Sequence, residues 1–177
     1  MSKTVVVYKS KYGSTKKYAE WIAKALNADI FETSKINVRD MEKYSTIIYG
    51  GGLYASGISG ISTITKAFDR LKNKKLIVFT VGIANPKTTN FNDIINKNFT
   101  PEMQQAIKVF HLRGAMDYKK LNFIHRAMMA MMKSHISKTP EEERDEETKM
   151  MLETYGKAVD FTDESTINPL VEEIKNF

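Results

Sequence analysis

The segment Val5-Val6-Val7-Tyr8-Lys9-Ser10-Lys11-Tyr12-Gly13-Ser14-Thr15-Lys16 constrains the fold of this chain more than any other. It reads as a buried strand, then a short turn of hydroxyls and one glycine, then an amphipathic helix whose apolar residues include Tyr18, Ile22, Ala25 and Leu26. Such a turn aims backbone N–H groups and the positive end of a helix dipole at one spot. Ser10, Ser14 and Thr15 add side-chain donors around it, and Gly13 lets the backbone come close to a ligand. The expectation is a phosphate cradle at the first strand–helix junction, with an ordinary capped turn as the alternative.

The details discriminate between kinds of phosphate loop. A nucleoside-triphosphate loop needs G-x-x-x-x-G-K-[ST], and this turn has neither the second glycine nor a lysine before its hydroxyl. A dinucleotide loop needs G-x-G-x-x-G, and only Gly13 is present. What remains is [ST]-x-x-G-x-T, carried by Ser10, Gly13 and Thr15 at the opening of a helix. This pattern resembles the phosphate loop of the flavodoxins, and the resemblance implies FMN as the guest.

Composition removes other classes. The 177 residues are 42% hydrophobic, which suits one globular domain over 1–177 with a substantial core. The absence of cysteine excludes disulfides, thiolate metal sites, cysteine nucleophiles and cysteine-ligated clusters, and suggests a cytoplasmic location. His111, His125 and His135 have no metal-ligand spacing. The N-terminus passes straight into a strand, so no targeting segment is expected. No apolar run approaches the roughly 20 residues needed to span a bilayer. The net charge of +6 favours anionic partners, namely an acidic protein, an anionic membrane surface or a substrate bearing carboxylates, while serving solubility equally well. Nucleic acid is not expected among them.

Apolar runs alternate with helical patterns. Strands are expected near Thr4 to Tyr8, Ala28 to Phe31, Thr46 to Tyr49, Leu76 to Val81 and Ile107 to Leu112, and helices near Thr15 to Leu26, Ile61 to Leu71 and Phe91 to Asn96. Strands apolar on both faces belong inside a parallel sheet, so the fold class is α/β, a flavodoxin-like doubly wound sheet of five parallel strands covered on both faces. A receiver domain shares this architecture but needs an aspartate ending the third strand, where Tyr49-Gly50 stands.

Ligands of such sheets bind beyond the carboxyl ends of the strands. Three loops should meet there: Ser10 to Thr15, Gly50 to Gly57, and Gly82 to Asn90. Gly50 to Ala55 formally fits G-x-G-x-x-A, but no helix follows directly and Asp69 falls late in a helix instead of ending a strand. A flavin-contact loop is the better reading, with Tyr54 stacking on the isoalloxazine and Gly51, Gly52 and Leu53 along its edge. Ser10, Lys11, Tyr12, Gly13, Ser14 and Thr15 would hold the phosphate end. Gly82, Ile83, Ala84 and Asn85 would cover the pyrimidine side, and the lack of an aromatic before Phe91 leaves one ring face open to a substrate.

About fifty residues separate the fifth strand from the closing helix, where Asn168 is the expected cap and Pro169 the first residue. An inserted helical segment is expected over about 118–156. Leu121, Ile124, Met128, Met131 and Met132 form a stripe at helical spacing, flanked by Lys119, Lys120, Arg126 and Lys133. Such a stripe fills a core or, with its basic flank, suits a membrane surface or an apolar anionic ligand. A second helix should start at Thr139-Pro140-Glu141 and stop at Gly156. The stretch Gly114-Ala115-Met116-Asp117-Tyr118, with Phe123 and Arg126-Ala127-Met128, resembles the menaquinone-dependent protoporphyrinogen oxidase group of flavodoxin-like proteins. Asp117 departs from that group's pattern, where a basic residue is expected. The resemblance implies an FMN oxidoreductase of heme biosynthesis with a tetrapyrrole substrate, electrons passing to a quinone, and peripheral contact with the inner face of the membrane. Arg113, Lys119, Lys120 and Arg126 would then meet the substrate's carboxylates. No side chain is expected to be catalytic, because the flavin carries the chemistry. The alternatives are an electron carrier serving a redox protein, a flavin-free scaffold, and a nicotinamide-dependent quinone reductase for which no nucleotide site is visible.

Overall fold

The computed structural model describes residues 3–176. Its first half runs β1 (Thr4–Lys9), α1 (Ser14–Leu26), β2 (Asp29–Glu32), α2 (Val38–Met41), β3 (Thr46–Tyr54), β4 (Gly57–Ile58), α3 (Ser62–Thr65), α4 (Phe68–Leu71) and β5 (Lys75–Gly82). There follow α5 (Asn92–Asn98), α6 (Pro101–Ala106), β6 (Ile107–Arg113), β7 (Ala115–Asp117), α7 (Phe123–Ile136), α8 (Glu146–Thr154), β8 (Ala158–Asp160) and α9 (Asn168–Lys175).

The strands β1, β2, β3, β5 and β6 pair in parallel in the order β2-β1-β3-β5-β6, the doubly wound arrangement expected from the alternating pattern. Both faces of the central strands are buried, which is why these strands read as unbroken apolar runs. On one face Val5, Val7, Ile47, Tyr49 and Val78 pack with Ile64, Phe68, Leu71 and Phe99. On the other, Val6, Ile48, Ile77 and Phe79 pack with Tyr18, Ile22, Leu170 and Val171 of α1 and α9. The buried Tyr18 donates its hydroxyl to Arg113 O at 2.7 Å and accepts from the Asp163 N–H at 3.1 Å, locking α1 to the end of β6.

Several elements differ from the sequence pattern. Gly50, Gly51 and Gly52 lie inside β3, not in a loop. Gly50 is required there because a Cβ would stand 2.1 Å from the Phe79 ring of the neighbouring strand. The turn comes later, at Ala55 and Ser56, whose φ angles of 46° and 64° close an antiparallel hairpin between β3 and β4. The helix expected over Ile61 to Leu71 breaks into α3 and α4 at Lys66 and Ala67. Asp145, not Thr139, caps the second inserted helix, because the three acids at 141–143 form only a short 3-10 turn. Asn168 is the first residue of α9, with Ile167 in the cap position. A small antiparallel ribbon of β7 and β8 brackets α7 and α8, so the insertion starts and ends at one place on the sheet's rim.

The methionine stripe also divides. Leu121 precedes α7 and is buried, whereas α7 itself buries no residue fully. His125, Met128, Met129, Met132 and Ile136 are half-buried on its inner side, while Ile124 and Met131 face solvent.

Candidate functional site

Register brings the three loops together. Tyr8 pairs with Gly50 and Lys9 with Gly51, Gly52 pairs with Val81, and Gly82 pairs with Arg113. The carboxyl ends of β1, β3, β5 and β6 therefore open onto one mouth.

At its floor, Gly13 occupies the cap position of α1 with φ 101° and ψ −27°, a conformation that glycine alone adopts cheaply. A Cβ at Gly13 would meet no atom within 4 Å, so backbone shape, not crowding, selects the glycine. No side chain among the described residues caps this helix, and its first turn holds no acid. The first N–H groups of a 13-residue helix thus stay available beside open space. Ser10 Oγ accepts the Gly13 N–H at 3.1 Å and Ser14 Oγ accepts the Ala115 N–H at 3.0 Å. Each hydroxyl keeps its own hydrogen to donate. Thr15 is buried at the second helical position. This set of donors, with Lys11 and Lys16 nearby in sequence and no acid among them, fits a phosphate monoester.

Above the cradle stands an aromatic group. Tyr12 and Tyr54 meet edge to face with centroids 6.3 Å apart. The imidazole of His125, from the first turn of α7, stacks on Tyr54 at 4.7 Å and 14°. Its Nδ1 lies 2.7 Å from the Tyr12 hydroxyl, and the Asn122 N–H donates to that hydroxyl at 3.4 Å. Burial, then the Lys11 charge, holds the His125 ring below its ordinary pKa, so it is neutral near pH 7. Burial first, then Tyr12, pushes the Tyr54 hydroxyl up to about 12.

The third loop is shaped by its own hydrogen bonds. Gly82 O accepts from the Gly114 N–H at 2.7 Å, and Ile83 O accepts from Arg113 Nε at 3.1 Å. Asn85 does not reach into the mouth: its Oδ1 accepts the Lys87 N–H at 3.1 Å, and its carbonyl takes the N–H groups of Thr88 and Thr89. Ala84 is half-buried between these two anchors. Gly51 and Gly52 lie along β3 toward the mouth, and a Cβ at Gly52 would press on the Tyr54 ring at 2.9 Å. Leu53 packs against Gly82, where a Cβ would come within 3.2 Å of it. Phe91 stacks on His111 at 3.7 Å.

The basic residues separate into two groups. Arg113 is consumed internally: besides Ile83 O, its Nη2 lies 3.1 Å from Met150 Sδ and its guanidinium stacks 3.8 Å over Phe161. These contacts anchor α8 to the sheet and engage two of its guanidinium nitrogens within the protein. Lys119, Lys120 and Arg126 sit at the entry to α7 and are exposed. Arg126 Nη2 donates to Lys119 O at 2.7 Å, and Lys120 pairs with Asp117 at 3.6 Å. His125 was legible in the sequence only as one of three scattered histidines. Asn122 marks a helix start with His125 in its first turn, but no local signal ties that turn to Tyr54.

This combination of fold and mouth defines a flavodoxin-type domain. The chain belongs to the flavodoxin domain family, which it matches over residues 5–143. Membership of that family points to FMN as the cofactor, and the donors around Gly13 fit its phosphate. The chain is 35% identical over 81 residues to an uncharacterised protein of Methanocaldococcus jannaschii, a match covering 44% of this chain and 53% of that one. It thus spans about half the length of that relative. Among solved structures it is similar to the Trp repressor binding protein of Bacillus subtilis, at 16% identity and TM-score 0.45, covering 63% of this chain and 83% of that one. It is also similar to the two-electron reduced flavodoxin of Megasphaera elsdenii, at 18% identity and TM-score 0.44, covering 61% and 82%. No helix among the described residues is long and apolar enough to cross a membrane.

Proposed function

We propose that this chain is an FMN-dependent oxidoreductase that takes hydrogen from a flat, carboxylate-bearing substrate of the protoporphyrinogen type and passes the electrons to a quinone. The observation that carries this reading is the imidazole stacked on Tyr54 at 4.7 Å. It stands where a flat ring on Tyr54 would stand, so the mouth takes planar groups, and entry of a ring displaces the first turn of α7. That same turn brings Lys119, Lys120 and Arg126 to the mouth's rim, where they suit the carboxylates of a tetrapyrrole.

The N-terminus of α1, with Ser10, Ser14 and Thr15, would hold the FMN phosphate, and Lys11 would add positive charge beside it. Tyr54 would stack on the ring system, with Gly51, Gly52 and Leu53 along one edge. The N–H groups of Ala84 and Asn85 would meet the ring's carbonyl edge, since the carbonyls of Gly82 and Ile83 are already engaged. Bound there, the flavin supplies reversible two-electron chemistry. The chain's own part is to position the flavin and the substrate.

The reading is tested with flavin-loaded protein, protoporphyrinogen and a menaquinone analogue under strict anoxia. Porphyrin fluorescence should rise together with quinone reduction. Full flavin loading without turnover would instead assign the chain to electron carriage between proteins.

A further inference from the structure

Among the described residues, the most exposed large apolar side chains gather on one helix. Phe123 is 81% exposed, Met131 73% and Ile124 52%, whereas Ile30, on the edge strand, is only 37% exposed. At 100° per residue these three side chains, with Ala127 and Ala130 between them, share the outer arc of α7. The helix is therefore apolar on both sides: its inner methionines are half-buried while its outer face is exposed and has no partner among the described residues. Structural packing accounts for the first face only.

Charge surrounds this outer face at one end. Lys119 and Lys120 precede the helix, Arg126 flanks its first turn, and Lys11 lies close enough to influence His125 of that turn. Asp117 is the acid among them and is paired with Lys120. Charge at the other end is mixed, with Lys133 and Lys138 beside Glu141, Glu142 and Glu143, which follow the helix. An anionic surface would attract the first end more strongly than the second.

We propose that the first three turns of α7 dock on an anionic lipid bilayer surface. Two features favour lipid over a protein groove. The apolar side chains radiate from a convex, single helix, which a fluid interface accepts without shape complementarity. The basic side chains gather at one end of the apolar patch, where lysines and arginines can snorkel to a headgroup layer. Phe123, the most exposed of them, stands at the basic end and would enter first. The proposal does not rest on the identity of the redox substrate.

The test is co-sedimentation of the full chain with vesicles of phosphatidylcholine alone and with vesicles containing phosphatidylglycerol. Binding should be confined to the anionic vesicles and should fall by about tenfold or more when salt is raised far enough to screen surface charge. Phe123→Glu with Met131→Glu should abolish it, and Lys119→Glu with Lys120→Glu should remove the preference for anionic lipid. All four side chains are exposed, so far-UV circular dichroism should be unchanged, and Phe123→Ser is a gentler variant of the same face. Wild-type protein left in the supernatant with anionic vesicles overturns the proposal, as does wild-type-like binding by the Phe123 variants. A lipid-free dimer that Phe123→Glu dissociates, without vesicle binding, would assign the face to a second copy and also overturn it.

Discussion

Replacing Gly13 with alanine separates backbone shape from ligand binding, because the molecule holds a matched control. Gly13 and Gly156 both have positive φ, at 101° and 83°, and a Cβ at either would meet nothing within 4 Å. Neither alanine therefore clashes, and each leaves only conformational strain. Left-handed backbone costs a non-glycine residue roughly 1–2 kcal/mol. Loss of unfolded-state freedom offsets about 0.4–1 kcal/mol of that. Each variant should thus lose about 1 kcal/mol, which lowers the melting temperature by about 2–4 °C in a chain of this size. Binding should divide them. At Gly13 the methyl group enters the open space before α1 and disturbs the N–H groups aimed there. Loss of one hydrogen bond to a charged phosphate is worth about 1.5–3 kcal/mol, or roughly 10- to 150-fold in affinity. Thermal unfolding of the apo proteins and FMN fluorescence titrations read both quantities. Equal FMN affinity for Gly13→Ala and Gly156→Ala would refute the placement of the phosphate.

Three further outcomes follow from the same geometry. The hairpin turn carries positive φ at Ala55 and Ser56, and is held by Lys97 on Ala55 O at 2.9 Å and by Asn98 on Ser56 O at 2.8 Å. Changing the pair to Asn-Gly should stabilise the protein by on the order of 1–2 kcal/mol, visible as a higher urea midpoint; an unchanged midpoint would argue against strain there. His125→Ala removes the imidazole that stands on Tyr54, so FMN should bind about 2- to 10-fold tighter, the equivalent of one aromatic pair. Weaker binding would show instead that His125 supports the ring. His111, 2.6 Å from buried Thr80 and stacked on Phe91, has its pKa pushed down to about 4 by burial. Its folded value lies below the unfolded one near 6.5, so its neutral form supports the fold above pH 6.5 and that support is lost as pH falls toward 4. His111→Gln should flatten the decline in stability between pH 7 and 5, and an unaltered slope would contradict this assignment.

The sheet was legible because its signals are local. Runs such as Val5-Val6-Val7 and Leu76-Ile77-Val78-Phe79 can be satisfied only by burial on both faces, and the [ST]-x-x-G-x-T turn lies within six residues. What failed depended on partners distant in sequence. The glycines at 50–52 looked like a loop, but a strand beside the Phe79 ring needs glycine too. Arg113 looked available until Met150 and Phe161 closed on it. The methionine stripe has helical spacing on either face of α7, and only the insertion's return through β8 decides which face turns inward. His125 reaches Tyr12 across 113 residues, a distance that periodicity does not encode.

The central claim is that the α1 N-terminus is a phosphate site, and the comparison of FMN with riboflavin tests it most directly. The two ligands share the isoalloxazine and differ by the phosphate. Two charge-assisted hydrogen bonds at this cradle would be worth at least about 3 kcal/mol, so FMN should bind at least about 100-fold more tightly than riboflavin. Saturable FMN binding with that margin is the predicted result. Equal affinity for the two ligands, or no binding of either, would contradict the account.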